Sequence, residues 1–167
     1  MSDRKPNDFY PTPVSIVTEI IERYINPYIT PQVWEPCVGD ERVADALKSA
    51  GCAVVGTDIT RGQDFFGYTT ALASSIVTNP PFKHIRPFID HAFDIGVEHM
   101  ILVCPERLWA CKKGREQFQR HPPRFWANMD WREDYLGKGG APDRALAVAV
   151  WDKTDLRPCE YEIWSRR

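Results

Sequence analysis

The chain has 167 residues, with 21 lysines and arginines against 23 aspartates and glutamates, so its formal net charge is −2 at pH 7. This length predicts one domain that spans residues 1–167. A hydrophobic fraction of 43% excludes an intrinsically disordered chain. The small net charge excludes a protein that binds nucleic acid through overall positive charge.

Membrane and metal signals are missing from the sequence. No segment approaches the roughly 18 uncharged apolar residues of a membrane helix, and the N-terminal residues are too polar for a secretory signal. We therefore expect a cytoplasmic protein with no membrane partner. The five cysteines include no Cys-x-x-Cys pair and no histidine lies at zinc-site spacing. We expect neither structural disulfides nor a bound metal.

Short apolar segments alternate with amphipathic helices over most of the chain. Helices are predicted at Thr12–Tyr28, Arg42–Ala50 and Ile85–Ile95. Buried strands are predicted at Gln32–Glu35, Cys52–Asp58, Ala73–Thr78 and His99–Cys104. This alternation is typical of an α/β fold with a mostly parallel sheet that is covered by helices on both faces.

The last third of the chain has a different pattern. A short helix is predicted at Lys112–Arg120, and two strands follow at Arg124–Asp130 and Arg144–Asp152. The glycine-rich segment Leu136–Asp143 connects these strands. Such a connection is typical of a hairpin, so we expect an antiparallel strand at the C-terminal end of the sheet.

Four segments that follow the predicted strands carry side chains suited to ligand binding. They are the turn Glu35-Pro36-Cys37-Val38-Gly39-Asp40-Glu41, Asp58, Asp64-Phe65 and Asn79-Pro80-Pro81-Phe82. Asp58 can accept hydrogen bonds from a ribose diol, and Asp64 with Phe65 can hold an adenine by its amino group and its face. Each feature alone is also an ordinary turn or cap. The carboxyl ends of parallel strands meet at one edge of a sheet, so four such segments after successive strands favour a shared site.

The chain resembles the class I S-adenosylmethionine-dependent amino-methyltransferases of nucleic acids, in particular small phage or prophage DNA adenine methyltransferases. Tyr10-Pro11-Thr12-Pro13 is similar to the Phe-x-Thr-Pro segment that packs on the methionine part of the cofactor. Glu35 to Asp40 resembles the cofactor-binding turn, Asp58 the ribose-binding acid and Asp64-Phe65 the adenine-binding pair. Asn79-Pro80-Pro81-Phe82 matches the catalytic motif. The likeness covers about residues 8–104.

This resemblance implies a Rossmann-like class I methyltransferase domain with S-adenosylmethionine as cofactor and DNA adenine as substrate. The implied cofactor-binding residues are Tyr10, Thr12, Pro13, Glu35, Pro36, Cys37, Gly39, Asp58, Asp64, Phe65 and Asn79. The implied catalytic residues are Asn79, Pro80, Pro81 and Phe82.

The sequence departs from the family pattern at two places. Glu41 stands where the cofactor turn usually has a second glycine, so its side chain must point away from the cofactor or narrow its site. In addition, Ala73 follows Asp58 by only 15 positions. This spacing is too short for the usual helix and third strand, and we expect a loop in their place.

The chemistry follows from the groups of the catalytic motif. Methyl transfer from a sulfonium to an exocyclic amine is hindered because the nitrogen lone pair is delocalised into the base. The Asn79 side-chain oxygen and the Pro80 carbonyl can accept hydrogen bonds from the amino group and hold it in place. Pro80 and Pro81 stiffen the backbone, and Phe82 offers a surface for an extruded base.

Other functions remain open at this point. The same motif serves methyltransferases that act on RNA adenine, on the N4 atom of cytosine in DNA or on protein glutamine. A non-catalytic binding subunit is the alternative from a different class. Pro36-Cys37 is similar to the nucleophile segment of carbon-5 cytosine methyltransferases, but it lies in the cofactor turn, out of context.

Substrate contacts are predicted in the most basic part of the chain. Six lysines and arginines against two glutamates lie between Cys104 and Arg124, and Arg107, Lys112, Lys113 and Arg115 are our candidates for phosphate contacts. A solvated helix face is the alternative. Trp126 and Trp131 are candidates for base stacking, although core packing is favoured for such large rings.

Two further expectations concern nucleic-acid recognition. The loop Gly137-Lys138-Gly139-Gly140 can cradle a phosphate, but a flexible connection is favoured. The chain also has no room for a recognition domain like that of larger DNA methyltransferases. We therefore expect a homo-oligomer or a separate recognition subunit as a candidate partner.

Overall fold

The computed structural model describes residues 11–25, 32–131 and 145–165. The helices are α1 Val14–Ile20, α2 Arg42–Ser49, α3 Ile85–Asp94 and α4 Lys112–Arg120. The strands are β1 Gln32–Glu35, β2 Ala53–Gly56, β3 Ser75–Thr78, β4 His99–Pro105, β5 Phe125–Met129, β6 Leu146–Asp152 and β7 Glu160–Trp164. The predicted first helix is divided, because α1 continues as a π-helical turn over Ile21–Ile25.

The strands form one sheet of seven in the order β2-β1-β3-β4-β6-β5-β7. Strands β1 to β4 are parallel, and β6 is antiparallel to both of its neighbours, β4 and β5. The predicted mostly parallel sheet with an antiparallel strand near the C-terminus is therefore confirmed. The sequence missed β7, which follows the antiparallel strand and pairs in parallel with β5.

The edge strand β2 corrects one expectation. Cys52–Asp58 was expected to form a buried strand, but β2 spans only Ala53–Gly56 and its side chains are exposed or half-buried. Between β2 and β3 the chain forms two single-turn 3-10 helices, Ile59–Arg61 and Phe65–Gly67, and no strand. Among the described residues, no further strand pairs with the outer edge of β2, as the short spacing predicts.

Two apolar layers enclose the sheet. Helices α1 and α2 pack on one face, where Ile16, Val17 and Ile20 of α1 are buried at helical spacing. Helix α3 packs on the other face with Phe88 and Ile89. Strand β4 is buried on both sides, and its successive side chains alternate between the two layers. The centre of the sheet is thus buried on both faces.

None of the helices in the described residues combines the length and apolar composition that spanning a membrane requires.

Candidate functional site

The carboxyl ends of β1, β2 and β3 open into one cavity of about 420 Å³. This volume is within the range of small-molecule sites. It is lined by residues 35–40, 58–60, 64–66 and 79–82, which include residues from all four predicted segments. The tertiary structure therefore brings together the four segments that the sequence singled out, at the edge where ligands bind in open α/β sheets.

The turn after β1 is held against the end of β2 by backbone hydrogen bonds. The N–H of Thr57 donates to the carbonyl of Glu35 at 2.9 Å, and the N–H of Val38 donates to the carbonyl of Thr57 at 3.1 Å. Gly39 then adopts a φ of 54°, in the left-handed region that favours glycine. Its missing side chain leaves the backbone itself exposed at the cavity wall.

Asp58 follows β2, and its carboxylate is charged and well held. Its Oδ2 atom accepts a hydrogen bond of 2.9 Å from the N–H of Gly39, and its Oδ1 atom accepts from the N–H and the hydroxyl of Thr60 at 2.8 and 2.6 Å. Burial opposes ionisation, but these hydrogen bonds outweigh it and lower the pKa of Asp58. A carboxylate has about four acceptor positions, so one on Oδ2 is left for a ligand hydroxyl.

Two other groups of the first turn are held in their neutral forms. Burial raises the pKa of Glu35 to about 9 and that of Cys37 to about 12. Cys37 is therefore a thiol at neutral pH, whereas a nucleophile would need the thiolate. This finding argues against the carbon-5 cytosine mechanism.

Glu41 does not narrow the cavity. It adopts a φ of 64°, which is rare for a residue with a side chain, and it caps the start of α2. It is not among the residues that line the cavity. The sequence left two possibilities for Glu41, a side chain that narrows the site or one that points away from it. The structure supports the second.

Asp64 and Phe65, the predicted adenine-binding pair, both line the cavity, but Phe65 offers less ring surface than expected. Asp64 accepts a hydrogen bond of 3.0 Å from the N–H of Phe66, and it lines the cavity. Phe65 also lines the cavity, but its ring is buried and stacks on Phe88 with centroids 4.0 Å apart. Phe66 and Ile59 present more surface, because they line the cavity and are 42% and 62% exposed. The sequence analysis missed both, although each is an apolar residue beside a predicted site acid.

The predicted catalytic motif, Asn79-Pro80-Pro81-Phe82, begins directly after β3. Asn79 is half-buried and its Oδ1 atom is buried, while Pro80 is buried and Pro81 and Phe82 are half-buried. All four line the cavity. A 3-10 turn over Phe82–His84 leads into α3, and it starts with a hydrogen bond of 2.9 Å from the N–H of His84 to the carbonyl of Pro81.

The N-terminal segment is placed only in part. Thr12 is buried and lines the cavity with Pro11, and its carbonyl accepts a hydrogen bond of 3.0 Å from Arg42. Pro13 directly precedes α1 and is not among the lining residues. Tyr10 lies outside the described residues, so its predicted role stays a prediction.

The residues predicted to contact phosphates are exposed. Arg107 lies in the loop after β4, and Lys112, Lys113 and Arg115 lie on α4. All four are exposed, and none has a carboxylate within 4 Å among the described residues. They do not line the cavity. Helix α4 is attached to the start of α3 through Gln117, whose side-chain amide donates a hydrogen bond of 2.7 Å to the carbonyl of Arg86.

The other two cations of this stretch have structural roles. Arg120 forms an ion pair of 3.2 Å with Asp90. Arg124, directly before β5, is 2% exposed and forms ion pairs with Asp155 and Glu160. These pairs connect the start of β5 to the start of β7 and to the loop before it. The basic stretch that is available to a phosphate is therefore shorter than its composition indicates.

Core packing is confirmed for the tryptophans near β5. Trp126 is buried and its Nε1 donates to Asn128 at 2.8 Å. Trp131 is half-buried against the α1 side of the core. The Gly137–Gly140 loop lies outside the described residues.

Several solved structures with a similar fold are methyltransferases. A proposed class I S-adenosylmethionine-dependent methyltransferase from Listeria monocytogenes aligns with a TM-score of 0.63 and 11% identity, over 92% of this chain and 65% of that one. The methyltransferase subunit of a type I restriction-modification system from Streptococcus thermophilus aligns with a TM-score of 0.64 and 11% identity, over 92% of this chain and 47% of that one. A proposed RNA methyltransferase from Pyrococcus horikoshii aligns with a TM-score of 0.66 and 15% identity, over 90% of each chain.

The likeness is one of fold. No protein-family model and no curated protein matches the chain. The chain spans about two thirds of the Listeria protein and about half of the Streptococcus subunit. It has the fold of the class I S-adenosylmethionine-dependent methyltransferases.

Proposed function

We propose that this chain is a single methyltransferase domain that transfers a methyl group from S-adenosylmethionine to the exocyclic amino group of adenine in DNA. One observation carries the proposal. Asn79-Pro80-Pro81-Phe82 lines the same cavity as the Glu35–Asp40 turn and Asp58. A cofactor held by the turn and the acid would therefore lie next to the groups that can orient an amino group.

The residues of the cavity fit S-adenosylmethionine. Asp58 offers a charged acceptor for a ribose hydroxyl, and Ile59 and Phe66 offer exposed apolar surface for an adenine ring. Gly39 leaves room for close approach to the backbone. When bound, the cofactor supplies a methyl group activated by a positively charged sulfur.

The protein supplies orientation rather than a covalent nucleophile. The side-chain oxygen of Asn79 accepts a hydrogen bond from the target amino group and holds its nitrogen towards the cofactor side of the cavity. This acceptor also stabilises the positive charge that develops on the nitrogen. Pro80 and Pro81 restrict the backbone that carries Asn79, and Phe82 supports the extruded base.

DNA contacts are proposed on the exposed surface of Arg107, Lys112, Lys113 and Arg115. Their lack of carboxylate partners among the described residues makes their charge available to phosphates. The Streptococcus protein, a restriction-modification methyltransferase subunit, supports DNA as the substrate. It also supports a second subunit as a candidate partner.

The test is a methylation assay with S-adenosylmethionine labelled in its methyl group. The chain is incubated with unmethylated genomic DNA or with RNA of mixed sequence, and the digested nucleosides are identified by mass spectrometry. Label in N6-methyladenine from DNA is expected. Label only in RNA, in N4-methylcytosine or in the protein would transfer the proposal to that substrate. Failure to bind S-adenosylmethionine in a calorimetric titration would favour a non-catalytic subunit.

A further inference from the structure

Glu35 is a buried carboxyl group in the wall of the cavity. It is the last residue of β1, it lines the cavity, and it is 1% exposed. The backbone N–H of Ala44 donates to its carboxyl group, but its Oε2 atom has no hydrogen-bond partner among the described residues. A buried polar atom without a partner is costly unless a ligand satisfies it.

The cavity is acidic as a whole. Its described lining residues include four carboxyl groups, those of Glu35, Asp40, Asp58 and Asp64, and no lysine or arginine. Such a wall disfavours an anionic ligand and favours a cationic one. S-adenosylmethionine carries two positive groups, the sulfonium and the ammonium of its amino-acid end, against one carboxylate, so it is a net cation.

We infer that Glu35 carries a proton in the ligand-free protein and releases it to the solvent when a positively charged ligand fills the cavity. Cofactor binding is then coupled to the loss of one proton. This inference rests on the proposed function, because it takes S-adenosylmethionine as the ligand.

The surroundings of Glu35 explain the proton. Burial is the largest cause that raises its pKa, and the negative charges of Asp40 and Asp58 raise it further. Lys48 of α2 and the N–H of Ala44 act in the opposite direction and are too weak to compensate. Cys37 beside it is a neutral thiol and adds no charge. A cation in the cavity would reverse this balance, since an opposite charge nearby favours the ionised carboxylate.

The coupling has a direct consequence for affinity. Ligand binding competes with the proton on Glu35. At any pH below the pKa of Glu35 in the ligand-free protein, a rise of one pH unit lowers the concentration of that competing proton tenfold. The association constant for S-adenosylmethionine should therefore rise by up to about tenfold per pH unit between about pH 6 and pH 7.5. This window lies below the pKa of Glu35 of about 9. It also lies below the pKa of about 8 at which an α-amino group loses its proton, so the ligand keeps its ammonium charge.

The experiment is a calorimetric titration of the full chain with S-adenosylmethionine at pH 6.5, where the amino group of the free ligand keeps its proton. It is repeated in buffers with different enthalpies of ionisation, so that the dependence of the heat on the buffer counts the protons exchanged. Release of about one proton is expected. Binding without proton release would overturn the inference and leave the proposed function standing, whereas absence of binding would overturn both.

Three ligands separate the two positive groups. S-adenosylhomocysteine keeps the ammonium and has a neutral sulfur, and 5'-methylthioadenosine has neither charge. Proton release with S-adenosylhomocysteine assigns the effect to the ammonium, and release with S-adenosylmethionine alone assigns it to the sulfonium. Equal release with 5'-methylthioadenosine would overturn the inference, because no cation would then be needed.

Two variants assign the proton to its residue. Glu35→Gln should abolish the proton release. Glu19→Gln, which changes another buried carboxyl group outside the cavity, should leave it unchanged. Equal release from Glu35→Gln and the unaltered chain would overturn the assignment. The buffer series on the unaltered chain tests the inference even where a variant does not fold.

Discussion

Glu41 forms an ion pair with Arg61, with Oε1 and Nη2 2.6 Å apart. The pair joins the turn after β1 to the 3-10 turn after β2, and these two turns flank Asp58. Glu41 also occupies the position at which the family that the sequence resembles usually has a second glycine. Its φ of 64° lies in the left-handed region that favours glycine. The ion pair therefore explains how a glutamate occupies this position with its side chain outside the cavity.

The strain at Glu41 leads to a stability prediction. Glu41→Ala and Glu41→Gly both remove the ion pair, but only glycine adopts the positive φ without a steric penalty. We expect the glycine variant to be more stable than the alanine variant by about 1 kcal/mol. Urea unfolding followed by circular dichroism measures the difference. Equal stabilities would show that the backbone at this position is not strained.

Asp58 is expected to contribute directly to cofactor affinity. Asp58→Ala removes a charge-assisted acceptor and should weaken S-adenosylmethionine binding by about 1–2 kcal/mol or more, which is at least about 5- to 30-fold. Asp45→Ala, which removes an exposed carboxylate of α2 outside the cavity, is the matched control. Calorimetry gives both affinities. Unchanged binding by Asp58→Ala would place the ribose elsewhere.

Asn79 is expected to act on the reaction and not on the cofactor. Asn79→Ala removes the side-chain acceptor and should lower the rate of methyl transfer to DNA by about 100-fold or more. The affinity for S-adenosylmethionine and the melting temperature should change little. Single-turnover methylation and a titration of the same preparation measure the two properties. Turnover at the rate of the unaltered chain would refute the proposed role.

The exposed cations of α4 are expected to contact DNA phosphates. Each phosphate contact contributes about 0.9 to the slope of log affinity against log salt, so Ala at Lys112, Lys113 and Arg115 together should flatten it by up to about three units. Arg120→Ala is the control on the same helix, because Arg120 is paired with Asp90. Fluorescence anisotropy over a salt series measures both. A slope unchanged in the triple variant would identify a solvated face instead.

Glu35 should make the protein less stable as the pH rises. Its pKa is raised from 4.5 to about 9, so the folded state holds a proton that the unfolded chain has lost between these values. The free energy of unfolding should therefore fall with pH in this window, by about 1.4 kcal/mol per unit from this group. Glu35→Gln should remove this contribution between pH 6 and pH 8.5. Identical pH slopes for the two proteins in chemical unfolding would contradict the prediction.

The sequence by itself determined the plan of the fold and the position of the site. Apolar strands such as His99–Cys104 must be buried on both faces, and their alternation with amphipathic helices leads to a parallel sheet. The carboxyl ends of such strands meet at one edge. Asp58 and Asn79 could therefore be assigned to one site from their order alone. The short spacing to Ala73 likewise predicted the open edge at β2.

Only the tertiary structure decided properties that depend on long-range contacts. Local pattern could not show that Arg124 is buried by partners that follow it by more than thirty residues. It could not rank Phe65 below Phe66 as cavity surface, because exposure depends on the ring of Phe88. The protonation of Glu35 has the same origin. Burial and neighbouring charge fix a pKa, and both are properties of the packed fold rather than of the residue or its neighbours in sequence.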